Sequence, residues 1–241
     1  MKTIEQHKSL KAYNTFGVEC FCEYFTSVST TEELRAALLN EDFSQRFILG
    51  GGSNLLLTKN LSGLCIHVDL KGIRIVEEND DLVIIEASAG ENWHEFVLWT
   101  LDQGYGGLEN LALIPGNIGT APIQNIGAYG VELKDCFVNC TTLDTITATP
   151  HRFNLEEAVF GYRNSIFKTA LKGKHIITAV QFRLTKKNHI LKTDYGVIQE
   201  ELGSKVSSPK NIAEAVIAIR QRKLPDPKKI GNSGSFFKNP I

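Results

Sequence analysis

The stretch that decides the fold is Gly106–Gly130, which reads GGLENLALIPGNIGTAPIQNIGAYG. No charged residue lies between Glu109 and Glu132, so the run could in principle be a membrane span or a buried strand. Its prolines and glycines would break a membrane helix, and its Asn and Gln side chains would lie unpaired in lipid. Strands are shorter and seldom contain so much glycine and proline. We therefore expect a chain of turns.

Turns built from small residues leave backbone N–H groups open to a ligand. Glycine lets the backbone approach a ligand closely, and successive amides in turn conformations form a concave anion site. Long ordered loops are often functional, although this one could also be a well-packed structural loop. The segment is therefore expected to form the wall of a site for a large, flat, phosphate-bearing cofactor.

Composition limits the class of protein. The 241 residues are 42% hydrophobic and 22% charged, which is ordinary for a globular protein with one large or two medium domains. A net charge of -1 provides no general field for nucleic acid or an anionic membrane. The first ten residues contain no apolar core of signal-peptide length, and no stretch is suited to cross a bilayer. Neither nucleic acid nor a membrane is expected as a partner.

The cysteines do not show a metal-binding pattern. A Cys-x-Cys pair on a strand points both sulfurs to one face, and no Cys-x2-Cys or flanking His completes a zinc motif. Reduced, half-buried thiols of a cytosolic protein are the expected state, and no metal is predicted. The five cysteines are Cys20, Cys22, Cys65, Cys136 and Cys140.

Hydrophobic periodicity predicts a mixed α+β chain. Strands are predicted at 19–25, 46–49, 55–57, 73–76, 82–85, 138–148 and 176–184, and helices at 32–40, 92–103, 155–158 and 209–220. The predicted domains are residues 1–70, residues 71–224, and the beginning of a further domain at 225–241.

A second glycine-rich segment, Gly50-Gly51-Gly52-Ser53-Asn54, lies between two of the predicted strands. It could be only a tight bend, or it could supply exposed amides and a hydroxyl to a pyrophosphate. It is not a Walker loop, because no Gly-Lys-Ser/Thr follows it. It is not a dinucleotide fingerprint either, because the next residues are typical of a strand.

Several single residues permit both a structural and a functional interpretation. Arg163 lies among a glycine and aromatic residues, which suits bidentate binding of a carboxylate or phosphate, although it could also lie over those rings at the surface. His94 is interpreted as a helix-surface or satisfied histidine rather than a ligand. The basic end of the last helix, with Arg220 and Lys223, could merely balance the helix dipole. Ser235 could be only a turn residue.

Four segments together resemble one enzyme family. IPGNIGTAPIQNIGAYG (114–130) resembles the flavin-binding signature of the UDP-N-acetylenolpyruvoylglucosamine reductases of bacterial peptidoglycan synthesis, in their longer subclass. Similar landmarks are NTFG (14–17), GYRNSIFK (161–168) and GNSGSFFKNP (231–240). The resemblance implies an α+β, two-lobed FAD-binding fold of the vanillyl-alcohol-oxidase/PCMH type. It also implies that the substrate-binding carboxy-terminal domain, with a catalytic glutamate, is largely absent from this chain.

The resemblance further implies a function. NADPH would reduce FAD, and the enzyme would reduce UDP-N-acetylglucosamine enolpyruvate, a small-molecule nucleotide sugar, to UDP-N-acetylmuramate as a cytoplasmic monomer. Two alternatives are a truncated or non-catalytic FAD-binding protein and a related flavin oxidoreductase with another substrate.

The family motif assigns roles to individual positions. Arg163 would bind the substrate carboxylate and Ser235 would donate a proton. The nucleotide sugar or NADPH would be bound by Tyr195, Arg220, Lys223 and Asn239. The cofactor residues implied are Gly50, Gly51, Gly52, Ser53, Asn54, Pro115, Gly116, Gly119, Thr120, Ile123, Gln124, Asn125, Gly127, Ala128 and Tyr129.

Overall fold

The computed structural model describes residues 3–234. Within this range there are eleven strands and four α-helices, joined by turns and short 3-10 segments. The strands are β1 (Glu5–Ser9), β2 (Phe21–Val28), β3 (Arg46–Leu49), β4 (Leu61–Val68), β5 (Ile73–Glu78), β6 (Leu82–Ser88), β7 (Gly127–Ala128), β8 (Val131–Glu132), β9 (Phe137–Asp144), β10 (Pro150–Asn154) and β11 (His175–Thr185). The helices are α1 (Thr31–Leu38), α2 (Trp93–Asp102), α3 (Gly196–Leu202) and α4 (Pro209–Lys223).

The first lobe is a four-stranded sheet in the order β1-β2-β4-β3. Strands β2 and β3 run parallel to β4, whereas β1 is antiparallel to β2. Helix α1 connects β2 to β3, and the Thr30 side chain caps it by accepting a hydrogen bond from the Glu33 N–H at 3.1 Å. Leu34 and Leu38 of this helix are buried together with hydrophobic residues of β2 and β4.

The second lobe is a five-stranded antiparallel sheet in the order β10-β9-β11-β6-β5. One face of it packs against α2, where Trp93 and Phe96 contact Phe182 of β11. The buried Trp93 indole donates to the Leu111 carbonyl at 2.9 Å, so its one polar group is satisfied. The chain passes from one sheet to the other at residues 69–72, next to the predicted domain boundary.

The two lobes share a hydrophobic cluster. Val28 and Leu64 of the first sheet are buried in it with Ala89, Leu143 and Ile176 of the second lobe. Continuous apolar packing of this kind holds two sheets in a fixed relation. The shared cluster therefore fixes the position of the first sheet relative to the second.

The segment 106–130 is a chain of turns, as the sequence predicts. Its only regular elements are 3-10 turns at Glu109–Leu111, Ile118–Thr120 and Pro122–Gln124 and the short ribbon that β7 forms with β8. Backbone hydrogen bonds attach it to the connection between β6 and α2. Gly119 N–H donates to Ala89 O at 2.9 Å, Ile118 N–H to Glu91 O at 2.9 Å, and Trp93 N–H to Gly116 O at 3.0 Å.

Two of the predicted elements are wrong. Residues 55–57 form no strand, because their chain is irregular and Leu56 is 58% exposed. Residues 155–158 form a turn instead of a helix. There the side chains of Asn154 and Glu157 accept hydrogen bonds from each other's backbone N–H groups, which is a local alternative to a helical turn. Strands β1, β4, β7, β8 and β10 and helix α3 were not predicted.

The end of the described chain returns to its beginning. Asn232 N–H donates to Thr15 O at 3.1 Å, in the loop that contains the NTFG landmark. A Cβ on Gly231 would lie 2.1 Å from the Phe16 carbonyl oxygen, so only glycine permits this approach. Within residues 3–234 no helix has the length and apolar composition needed to cross a bilayer.

The close packing of Gly119 provides a test of the fold. A Cβ at this position would lie 2.6 Å from the Ala89 Cβ. We expect Gly119→Ala to lower the free energy of unfolding by about 1–3 kcal/mol, as overpacking does. The control is Gly196→Ala in the first turn of α3, where a Cβ would meet nothing within 4 Å. Urea denaturation should show no loss of stability in the control, and equal midpoints for the two variants would contradict this packing.

Candidate functional site

The two glycine-rich segments lie against each other. A Cβ on Gly50 would lie 2.8 Å from the Thr120 methyl group, and a Cβ on Gly116 would lie 2.9 Å from the Ser53 hydroxyl. Asn54 also donates from its amide nitrogen to the Gln124 side-chain oxygen at 3.1 Å. The structure thus brings together the two segments that the sequence predicts to bind the cofactor.

The loop after β3 presents unpaired amides. No hydrogen bond among the described residues uses the backbone N–H groups of residues 51–54 as donors. Gly52 has a φ of +62°, and a Cβ there would lie 1.9 Å from the Tyr13 carbonyl oxygen, so the loop needs glycine at this point. Successive free amides in a turn form a concave binding surface for an anion.

These segments line a cavity of about 240 Å³. Lys168 is the only charged residue among the described residues that line it, and its ammonium group donates to the Arg163 carbonyl at 3.2 Å. Free amides, hydroxyls and one lysine make a donor set that suits a pyrophosphate. The lining residues are Ile48, Gly50, Gly52, Ser53, Asn54, Leu55, Trp93, Pro115, Asn117, Thr120, Ala121, Ile123, Gln124, Ile126 and Lys168.

A larger cavity of about 620 Å³ adjoins the first at Pro115, which lines both. It lies between the start of α2, the segment 113–115, the end of α4 and the chain that follows α4. Its charged and titratable lining residues are His94, Glu95, Arg220, Asp226, Lys228 and Lys229. A ligand in the second cavity can therefore come close to a cofactor in the first.

The loop of Arg163 is fixed by buried polar contacts. Asn125 is fully buried in the left-handed conformation (φ +43°), and its amide donates to Gly161 O at 3.0 Å and accepts from Lys134 N–H at 3.1 Å. Arg163 is also left-handed (φ +52°), donates to Gly127 O, and lies 5.8 Å from the centre of the Tyr162 ring. The side chain of Asn125 thus positions the arginine loop.

Arg163 belongs to a group of four residues from distant parts of the chain. Arg220 of α4 lies close enough to Arg163 and to the Tyr129 hydroxyl for both groups to influence its pKa. The Tyr129 ring packs edge-on against Tyr195 with the ring centres 5.7 Å apart. Burial lowers the pKa of Arg220, and the charge of Arg163 lowers it further, although Tyr129 acts in the opposite direction.

Neither arginine has a carboxylate partner. No ion pair within residues 3–234 includes Arg163 or Arg220, and the acceptors of their hydrogen bonds are the neutral carbonyls of Gly127 and Leu113. Two neighbouring guanidinium groups repel each other and are costly to desolvate where no ion pair compensates them. An anionic ligand would reduce both costs, so the chemistry of this group suits a carboxylate or phosphate.

His94 is a satisfied histidine, which agrees with one of the two structural interpretations from the sequence, and it also lines the second cavity. It is half-buried, and its Nδ1 accepts a hydrogen bond from the Leu113 N–H at 3.0 Å. Burial lowers the pKa of His94, and Arg220 lowers it further against the opposing effect of Glu95. The ring is therefore neutral at pH 7, as an accepting Nδ1 requires.

Some predicted site residues lie apart or outside the described residues. Lys223 is exposed at the end of α4 and is not in contact with the arginine group in this structure. Gly119 packs against the second sheet and not into a cavity. Ser235 and Asn239 lie outside the part of the chain that the structure describes. The roles of all four residues stay predictions.

Lys168, Asn117 and Trp93 line the first cavity but were not predicted to do so. For Lys168 the signal was present, because it ends the GYRNSIFK landmark.

The cysteines are five free, buried thiols. Burial raises the pKa of Cys140 to about 12, and burial likewise raises the pKa of Cys65 and Cys136. Thiols with such pKa values are protonated at pH 7 and are poor metal ligands. Among the described residues no group of three or more His, Cys, Asp or Glu is arranged to hold a metal ion.

Comparison with known proteins links this geometry to a family. A family model described as an FAD binding domain matches residues 23–155. The UDP-N-acetylenolpyruvoylglucosamine reductase of Flavobacterium johnsoniae is 55% identical over 241 residues, which are 99% of this chain and 72% of the relative. The match thus spans less than three quarters of that relative's length.

Comparison with solved structures also shows similarity to a reductase of this kind and to a further oxidase. The crystal structure of UDP-N-acetylenolpyruvylglucosamine reductase from Thermus caldophilus superimposes with a TM-score of 0.69 and 26% identity, covering 100% of this chain and 76% of the other. Cholesterol oxidase from B. sterolicum, at 15% identity, has a TM-score of 0.51 over 76% of this chain and 38% of its own, and shows the fold alone. The predicted α+β FAD-binding fold of the oxidase type is confirmed.

The single charge in the first cavity provides a test of cofactor binding. We expect Lys168→Met to weaken FAD binding about tenfold, because it removes a charge-assisted contact to phosphate. Riboflavin, which has no phosphate, should bind the variant and the parent equally. The measurement is a flavin-fluorescence titration at two salt concentrations, with the exposed Lys172→Met as the control. Equal loss of riboflavin and FAD affinity would contradict a phosphate contact.

Proposed function

Since the chain belongs to the UDP-N-acetylenolpyruvoylglucosamine reductase family, we propose that it uses NADPH to reduce UDP-N-acetylglucosamine enolpyruvate to UDP-N-acetylmuramate. It is an FAD-dependent oxidoreductase, and the proposal concerns its reductant, its substrate and its place in peptidoglycan precursor synthesis. As part of the same proposal, the enzyme acts as a monomer in the cytoplasm.

The observation that carries the proposal is the pair of arginines without carboxylate partners, Arg163 and Arg220. The proposed substrate has one carboxylate and a diphosphate, so it offers two separate anionic groups. A guanidinium binds either group in a bidentate manner. The arginines come from different segments of the chain, which suits a long ligand that touches both.

The first cavity fits the cofactor. The unpaired amides of residues 51–54 and the charge of Lys168 provide the donors that a pyrophosphate needs. Glycines at 50, 51 and 116 allow the two segments to approach each other closely. FAD bound there would supply the hydride chemistry, and the protein would supply orientation and electrostatic field.

Arg163 is proposed to bind the substrate carboxylate. When hydride adds to the carbon of the enol ether distant from the carboxylate, negative charge develops on the neighbouring carbon and spreads into the carboxylate. A preorganised guanidinium stabilises such charge more strongly in the transition state than in the ground state. The hydrogen bond to Gly127 and the ring of Tyr162 hold the side chain in place before the substrate arrives.

Ser235 is proposed to donate the proton that completes the product. A serine hydroxyl is a weak acid unless its surroundings tune it, so its neighbours decide how well it acts. This assignment is supported by the GNSGSFFKNP landmark (231–240), of which the structure describes the first four residues. Tyr195, Arg220, Lys223 and Asn239 are proposed to bind the diphosphate and uridine or the phosphates of NADPH.

The first experiment measures bound flavin and NADPH oxidation in the same purified protein. The purified protein should show flavin absorption bands that stay with it through gel filtration, and it should oxidise NADPH only when the enolpyruvate substrate is present. A coloured protein without substrate-dependent NADPH oxidation would indicate an FAD-binding protein that does not turn over. Oxidation of NADPH with a different acceptor would indicate a related oxidoreductase.

Arg163 can be tested by a matched pair of variants. We expect Arg163→Ala to lower turnover about 10²–10³-fold with unchanged flavin content, because the contact strengthens in the transition state. Arg163→Lys should recover only part of the rate, since a point charge does not replace the bidentate fork. Steady-state NADPH oxidation measures both variants. Wild-type rates in the alanine variant would end the assignment.

A further inference from the structure

We propose that His94 is a positioning residue that holds Arg220 against the larger cavity through the backbone of Leu113. The inference goes beyond the family assignment but rests on the proposed function, since it assumes that Arg220 binds an anionic ligand. It concerns a histidine that neither the sequence motifs nor the comparisons assign to the site.

The geometry is a relay of two hydrogen bonds. Leu113 donates its N–H to His94 Nδ1 at 3.0 Å, and its carbonyl accepts from Arg220 Nε at 3.2 Å. His94 and Arg220 both line the larger cavity, and Leu113 lies between them. A displacement of either side chain therefore acts on the other through one residue.

The conformation of Leu113 makes the direction of its carbonyl depend on the hydrogen bond to His94. Its φ of +58° is left-handed, which a leucine rarely adopts because its Cβ crowds the backbone. Such a conformation persists only where its surroundings fix it, and here both backbone groups of Leu113 are held by side chains. Without the bond from His94, the backbone has one restraint fewer, and the carbonyl that orients Arg220 can turn away.

His94 itself has a fixed position. Asn92 caps α2 by accepting a hydrogen bond from the Glu95 N–H at 3.1 Å, and Trp93 is buried in the core with its indole bonded to Leu111. The histidine thus lies next to the capped start of α2 and beside a tryptophan of the core. The two hydrogen bonds through Leu113 connect this packed region to Arg220 of α4.

Arg220 depends on such support because its other contacts are few. Its one hydrogen bond among the described residues is to the Leu113 carbonyl, and the nearby charge of Arg163 repels it. A carboxylate partner commonly orients a buried guanidinium. Within residues 3–234 Arg220 has no such partner. The Leu113 carbonyl is then its main fixed acceptor, and His94 determines where that carbonyl points.

The test compares two substitutions of nearly equal shape. Asparagine can place an amide oxygen where the histidine has Nδ1, whereas leucine places a methyl group there. We expect His94→Leu to raise the Kd for NADP+ about tenfold, the effect of losing one orienting hydrogen bond. His94→Asn should stay within about threefold of the parent. Titration of the FAD-loaded protein with NADP+, which has the phosphates of NADPH but cannot reduce the flavin, measures the Kd, and flavin absorption confirms equal cofactor content.

A double-mutant cycle separates positioning from simple loss of structure. Arg220→Met alone should weaken NADP+ binding, and adding His94→Leu to it should cause no further loss, because the two act through one contact. Additive losses, or equal binding by the Asn and Leu variants, would overturn the role of His94 and leave the proposed function intact. Unchanged NADP+ binding in Arg220→Met would overturn this inference and the assignment of Arg220 to the NADPH phosphates, whereas Arg163→Ala would still test the reductase reaction.

Discussion

The site depends on the backbone hydrogen bonds that join residues 116–119 to residues 89–93. The segment between Glu109 and Glu132 has no charged side chain, so ion pairs cannot hold it in place. Its main chain is instead bonded to the connection that leads from β6 into α2. That attachment sets the position of the Gly50 loop on one side and of Leu113 and Pro115 on the other. Both cavities are consequences of one backbone arrangement.

Electrostatic repulsion between two arginines of the site opposes this fixed backbone arrangement. Arg163 and Arg220 are held close to each other by neutral acceptors, which is unfavourable while no anion is present. The surrounding structure overcomes that cost because left-handed residues such as Leu113 and Asn125 are bonded on both sides. Strain of this kind is commonly concentrated where a ligand binds.

The sequence predicts elements whose pattern is long and periodic. The β5–β6 hairpin, α2, α4 and β11 follow from alternation or helical spacing, and the meeting of the two glycine-rich segments follows from the chemistry of a phosphate cradle. It does not predict α3, which begins at a glycine, or the irregular chain at 55–57, where three leucines imitate a strand. Nor could it place His94, since no pattern shows that a backbone N–H 19 residues away lies opposite Nδ1. Contacts between distant segments require the fold itself.

The bond between Asn232 and Thr15 has a consequence for how the protein is made. These residues lie near opposite ends of the chain, and closing so long a loop is entropically costly and slow. The first sheet, whose strands lie within residues 5–68, can form while later residues are still being synthesised. The wall of the larger cavity that follows α4 can dock only after nearly all of the described chain has left the ribosome. Among the described elements this wall is therefore the last to be assembled, and a chain synthesised only as far as α4 has an incomplete larger cavity.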